Sequence, residues 1–184
     1  TSKERVDYQF LNPLRRRISV LRLSPDEERA ILENLIIASD TGTQMYRYSS
    51  EEDKFKIVYA HDLKGVIGGA KYDKVIEILN STMESMKETL RDKFKMTFTD
   101  AEWEAFKKSC VNIREVREGG RFDGRVTQLS LALLGMNATA EIRKKFAGDD
   151  GKMMRTACMD YILGALAENG IDVNVKAAGS TSID

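Results

Sequence analysis

Between Ala70 and Lys95, six apolar side chains, Tyr72, Ile76, Leu79, Met83, Met86 and Leu90, follow one another at separations of four, three, four, three and four residues. A strand repeats every second residue and cannot use that spacing, whereas a helix turns it into a narrow stripe along one face. Phe94 continues the stripe. The helix it implies has about 26 residues and a length of ~39 Å, against the ~20 residues that already span a small domain. A stripe this narrow is covered by a facing helix, either in the same chain or in a second copy. The six seam residues are therefore the candidate oligomer interface.

The flanking sequence is punctuated mostly by helix starts. Ser24-Pro25-Asp26-Glu27 supplies a cap, a first-turn proline and acids suited to the helix dipole, and predicts a helix from Pro25 to about Ser39, with Ile31, Leu32, Leu35, Ile36 and Ala38 inward and Gly42 as terminator. Thr99 with Glu102 forms a capping box ahead of Trp103, Phe106, Cys110 and Ile113, and Gly119-Gly120 ends that helix. Asp123 is placed to cap a helix whose face is Val126, Leu129, Leu133 and Leu134. Asn137 opens a short helix to Phe146, and Asp150 caps a last one carrying Met154, Cys158, Tyr161, Ile162 and Ala165. From Thr43 to Leu63 the two periods compete. Phe55, Ile57 and Tyr59 alternate as in a strand that would pair with Gln44–Tyr48. Phe55, Val58, Tyr59 and Leu63 repeat as in a helix, which Ser50 and Asp53 favour through a capping arrangement. Residues 171–175 alternate as one short strand.

The expected fold class is thus mainly α: a single-domain bundle of six or seven helices, with one long helix at about 70–95 and at most a short β-hairpin or strand. A length of 184 residues suits one domain, and no stretch resembles an interdomain linker. Residues 1–24 read as a basic N-terminal arm, with Lys3, Arg5, Arg15, Arg16, Arg17 and Arg22 against Glu4 and Asp7. Pro13 and the alternation of Ile18 and Val20 predict an extended arm or edge strand. Residues 25–176 form the helical core domain. Residues 177–184, AAGSTSID, carry too little apolar surface to offset their ordering and read as a flexible tail.

Chemistry is sparse. General acid and base work at neutral pH most often uses histidine, and the chain has only His61, beside Asp62. Cys110 and Cys158 fall among apolar positions, which suits reduced core thiols better than nucleophiles. One histidine and two distant cysteines assemble no zinc or di-iron site, and residues 149–160 have the length of a calcium loop but lack its oxygen ligands at Gly151, Met153 and Ala157. Gly65 to Tyr72 departs from a phosphate loop at Ala70 and Tyr72 and reads as a hinge. The expectation is a non-enzyme with no cofactor and no metal.

Twenty-nine basic residues balance 29 acidic ones, so no long-range field steers the chain to nucleic acid or lipid. Local basic clusters remain. Arg15, Arg16, Arg17, Arg121, Arg125, Arg143, Lys144 and Lys145 are the candidate phosphate contacts, with Tyr46, Tyr48 and Tyr59 available to stack bases. No apolar run approaches a membrane span, and the N-terminus lacks an apolar export segment, so a cytoplasmic, reducing setting without membrane contact is expected. The leading expectation is a helical interaction protein that self-associates as a structural or scaffold subunit. The alternative is binding to RNA or single-stranded DNA, and an enzyme with an unrecognised site ranks third.

Overall fold

The computed structural model describes residues 10–39, 42–118, 121–135, 138–179 and 181–184. Residues 1–9 of the expected arm, the Gly119-Gly120 helix stop and the Asn137 helix start lie outside the described residues. Seven helices and seven strands are present among the described residues: α1 (Asn12–Val20), α2 (Pro25–Glu33), β1 (Ile36–Ser39), β2 (Gln44–Ser49), β3 (Lys54–Ala60), α3 (Leu63–Ile67), α4 (Gly69–Phe94), α5 (Asp100–Cys110), β4 (Val111–Glu118), β5 (Arg121–Ala132), α6 (Ala140–Phe146), α7 (Asp149–Glu168), β6 (Ala177–Ala178) and β7 (Ser182–Ile183). The strands form two antiparallel sheets, ordered β1-β2-β3 and β4-β5-β7-β6. The fold is α+β. This corrects the mainly α, all-helical bundle expected from the sequence.

By their contacts the residues fall into two compact units. One holds the described residues up to 63 together with 114–128, and the other holds 64–113 with 129–184. The chain passes from one unit to the other along β4 and returns along β5.

In the first unit, α1 replaces the expected extended arm. Pro13 stands at the start of the helix, where its missing N–H is not needed, and Leu11, Leu14 and Ile18 supply a stripe at helical spacing. The box at Ser24 forms as expected: Ser24 N donates to Glu27 at 2.8 Å and Glu27 N to Ser24 Oγ at 3.3 Å. The helix then ends at Glu33, with the Asn34 side chain on the Ala30 carbonyl, and Ile36–Ser39 continues as a strand rather than as helix. Residues 43–63 adopt the hairpin alternative. Gln44, Tyr46 and Tyr48 alternate inward along β2, and Tyr46 faces Ile57 and Tyr48 faces Phe55 on β3. These residues close a core with Leu11, Ile18, Leu32 and Ile37.

In the second unit, α4 occupies nearly the range the seam predicts and packs on α5, α6 and α7. The capping box at Thr99 starts α5, where Glu102 N donates to Thr99 Oγ1 at 3.3 Å. The helix stops at Cys110; its expected continuation over 111–118 is β4, and residues 123–132 of the next expected helix lie in β5. Asp123 does not cap a helix: its carboxylate accepts from Arg125 N, two residues on, at 2.9 Å, a local turn that competes with helix formation. The predicted strand at 171–175 is irregular. Strand pairing falls instead on the expected tail, where Ile183 faces Leu131 of β5 and Ala177 faces Ile183.

Candidate functional site

β4 is the outermost strand of its sheet. It pairs with β5 on one side, and among the described residues no strand occupies the other. Its backbone is anchored from below by a buried polar relay in the first unit. Gln44 is 1% exposed, so each end of its amide needs a partner. Tyr46 OH donates to Gln44 Oε1 at 2.8 Å, Gln44 Nε2 donates to Thr127 Oγ1 at 3.3 Å, and Thr127 Oγ1 donates to the Arg114 carbonyl at 3.2 Å. The relay ties β2, β5 and β4 together by groups that would be costly to leave unpaired. On the exposed face of β4, Arg117 Nη2 donates to Glu115 Oε2 at 2.7 Å, while the intervening Val116 is fully buried.

The basic positions singled out from the sequence divide between the units: Arg15–Arg17, Arg121 and Arg125 lie in the first, and Arg143–Lys145 in the second. Several are already engaged. Arg15 holds Asp53 in a two-pronged contact, donates to Tyr48 OH at 3.0 Å and lies 3.5 Å from Glu28. The Asp53 hydrogen bond raises the Arg15 pKa, and the same bond, with that from Tyr48, lowers the Asp53 carboxyl. Burial, together with the hydrogen bond to Asp53, raises the Tyr48 phenol. Arg125 pairs with Asp123. Arg143 donates to the carbonyls of Ala138 and Gly135, and the Lys145 ammonium lies 5.9 Å from the centroid of Phe94. Arg16, Arg17, Arg121 and Lys144 are exposed. Of the three tyrosines, Tyr46 and Tyr48 are core and Tyr59 is exposed.

The seam belongs to the interior of the second unit. Tyr72, Leu79, Met83 and Leu90 are buried, and Ile76 and Met86 are half-buried. Trp103 Nε1 and Lys107 Nζ both donate to Glu84 on α4, at 2.9 and 2.7 Å, which fixes α5 beside the seam. Those two bonds lower the Glu84 carboxyl, Lys107 having the larger effect.

Cys110 and Cys158 are buried, and burial pushes both thiols up to about 12, which leaves them protonated at neutral pH. The His61 N–H bonds to the Thr43 carbonyl at 2.8 Å, extending the hairpin. Among the described residues no three His, Cys, Asp or Glu side chains gather where they could hold a metal ion, and no helix is long and apolar enough to cross a membrane. The open β4 edge was not among the sites read from sequence, because Arg114, Arg117, Arg121 and Arg125 follow helical spacing until β4 and β5 are known to be strands. The signal that could have exposed it is the alternation of charge around Val116. The chain matches no protein-family model and no curated protein sequence.

Proposed function

We propose that this chain is a non-enzymatic assembly subunit that associates with copies of itself. The observation that carries this reading is the outer edge of β4, beside which no strand lies among the described residues. A sheet edge with no strand beside it can accept another strand, and proteins that remain monomeric usually block such an edge with proline, charged side chains, a very short strand or a covering element. β4 has eight residues, contains no proline, and is held in place by the Tyr46-Gln44-Thr127 relay. A formal charge of zero means that copies meet without net repulsion. The cations offered as phosphate contacts give less support to nucleic-acid binding, since Arg15 and Arg125 are neutralised by carboxylates and Arg143 is directed to backbone carbonyls.

Size-exclusion chromatography with light scattering over a concentration series tests this reading. A mass that rises above the 20.8 kDa of the chain supports it. A mass fixed at that value through millimolar concentration refutes it.

A further inference from the structure

From residue 114 to 118, β4 reads Arg-Glu-Val-Arg-Glu. We infer that two copies of this chain join β4 to β4, antiparallel, about a two-fold axis through Val116, with Glu115 of each copy facing Arg117 of the other. The inference rests on the self-association reading above and names its interface.

In an antiparallel pair centred on Val116, residues equally distant from it face each other across the strands. Glu115 then meets Arg117, and the pair occurs twice because a two-fold contact is self-complementary. Opposite charges directly across strands attract, and like charges repel. Every nearby alternative fails this criterion. Sliding the strands by two residues sets Glu115 on Glu115 in one direction and Arg117 on Arg117 in the other. A slide of one residue opposes Arg114 to Arg117 in one direction, and in either direction turns each strand's faces over. Parallel pairing in register puts every charge against its own kind. The same residues therefore repel other pairings and accept this one, so an edge that looks defended by charge is defended against all partners except its own copy.

The geometry is ready for that contact. Glu115 and Arg117 share the exposed face of the strand, already 2.7 Å apart within one chain, with side chains 30% and 52% exposed. Two copies would close them into a ring of four alternating charges. Val116 points to the core, so the pairing asks for no rearrangement beneath the strand.

The test exploits the alternation. In Arg117→Glu both facing positions are acidic, and in Glu115→Arg both are basic. Each variant alone should sediment as a monomer at concentrations where the unaltered chain is dimeric, and an equimolar mixture of the two should form a heterodimer, visible by native mass spectrometry. The double variant Glu115→Arg/Arg117→Glu should regain the dimer. An unaltered chain that dimerises while both single variants dimerise equally well, or single variants that stay monomeric when mixed, would overturn the β4 pairing and leave self-association standing. An unaltered chain that never dimerises removes both. Hydrogen exchange on the unaltered chain needs no variant to fold: amides of residues 114–118 should slow as concentration rises through the association range, and unchanged exchange in a dimer rejects this interface.

Discussion

Met83 sits midway along the seam and is fully buried, so Met83→Ala tests whether that seam is interior or interface. Truncating a buried methionine to alanine costs about 2–5 kcal/mol, from lost transfer energy and the cavity left behind. For a chain of this size each kcal/mol lowers the melting temperature by about 2–4 °C, so the variant should melt roughly 4–20 °C lower. Trp103 is the only tryptophan, is 1% exposed and lies in the same unit as Met83, so its fluorescence follows the unit that is perturbed. Met86→Ala, at a half-buried position three residues on, is the internal control and should cost about 1 kcal/mol. Light scattering below the melt should show the unaltered oligomeric state for both variants. A Met83→Ala protein that melts within about a degree of the unaltered chain yet loses its association would refute the reasoning, since the seam would then face a second copy.

Three further outcomes follow from the second unit. Ile183 is 2% exposed against Leu131, so Ile183→Ala should destabilise the protein by about 2–4 kcal/mol in urea unfolding, whereas a loosely attached tail would give less than about 0.5. A Cβ at Gly151 would lie 1.7 Å from the Phe146 carbonyl oxygen, so Gly151→Ala should force apart α6 and the start of α7 and lower the melting temperature more than Gly164→Ala, where a Cβ meets nothing within 4 Å; equal melting temperatures would contradict this packing. Glu84 is held below its ordinary 4.5 by Lys107 and Trp103, so its contribution is present above that value and is lost as pH falls through the lower folded-state pKa. Glu84→Gln should therefore flatten the acid limb of a Trp103 fluorescence titration below about pH 4.5, and an unchanged limb would remove the carboxylate from the account.

Different parts of the fold were legible for different physical reasons. The seam of α4 repeats over five intervals, and no other structure uses that period. The boxes at Ser24 and Thr99 are local chemistry, complete within four residues, and both form. α1 is hidden because a proline breaks a helix interior, although at a helix start, where Pro13 stands, it costs no hydrogen bond. β5 was hidden by its environment. Val126 and Thr127 are buried in succession, as are Leu129, Ser130 and Leu131, so the strand lacks the alternation that marks a sheet with one wet face, and Val126, Leu129 and Leu133 mimic a helix. The last residues looked too polar to order, but Ile183 alone supplies a buried anchor and backbone pairing supplies the rest: Lys176 N donates to the Asp184 carbonyl at 2.7 Å and Asp184 N to the Lys176 carbonyl at 2.8 Å. The open edge is a property of topology. Nothing in residues 111–118 states that β5 is their one neighbouring strand among the described residues, and only the sheet order turns an Arg-Glu-Val-Arg-Glu run from a helix face into an edge with self-complementary charge.

Whether copies of this chain associate through β4 is tested most directly by sedimentation equilibrium of the unaltered chain beside Arg117→Glu, at matched concentrations and with circular dichroism confirming that both are folded. The unaltered chain should approach twice its 20.8 kDa as concentration rises while Arg117→Glu remains at the mass of one chain. Identical masses for the two proteins at every concentration would contradict it.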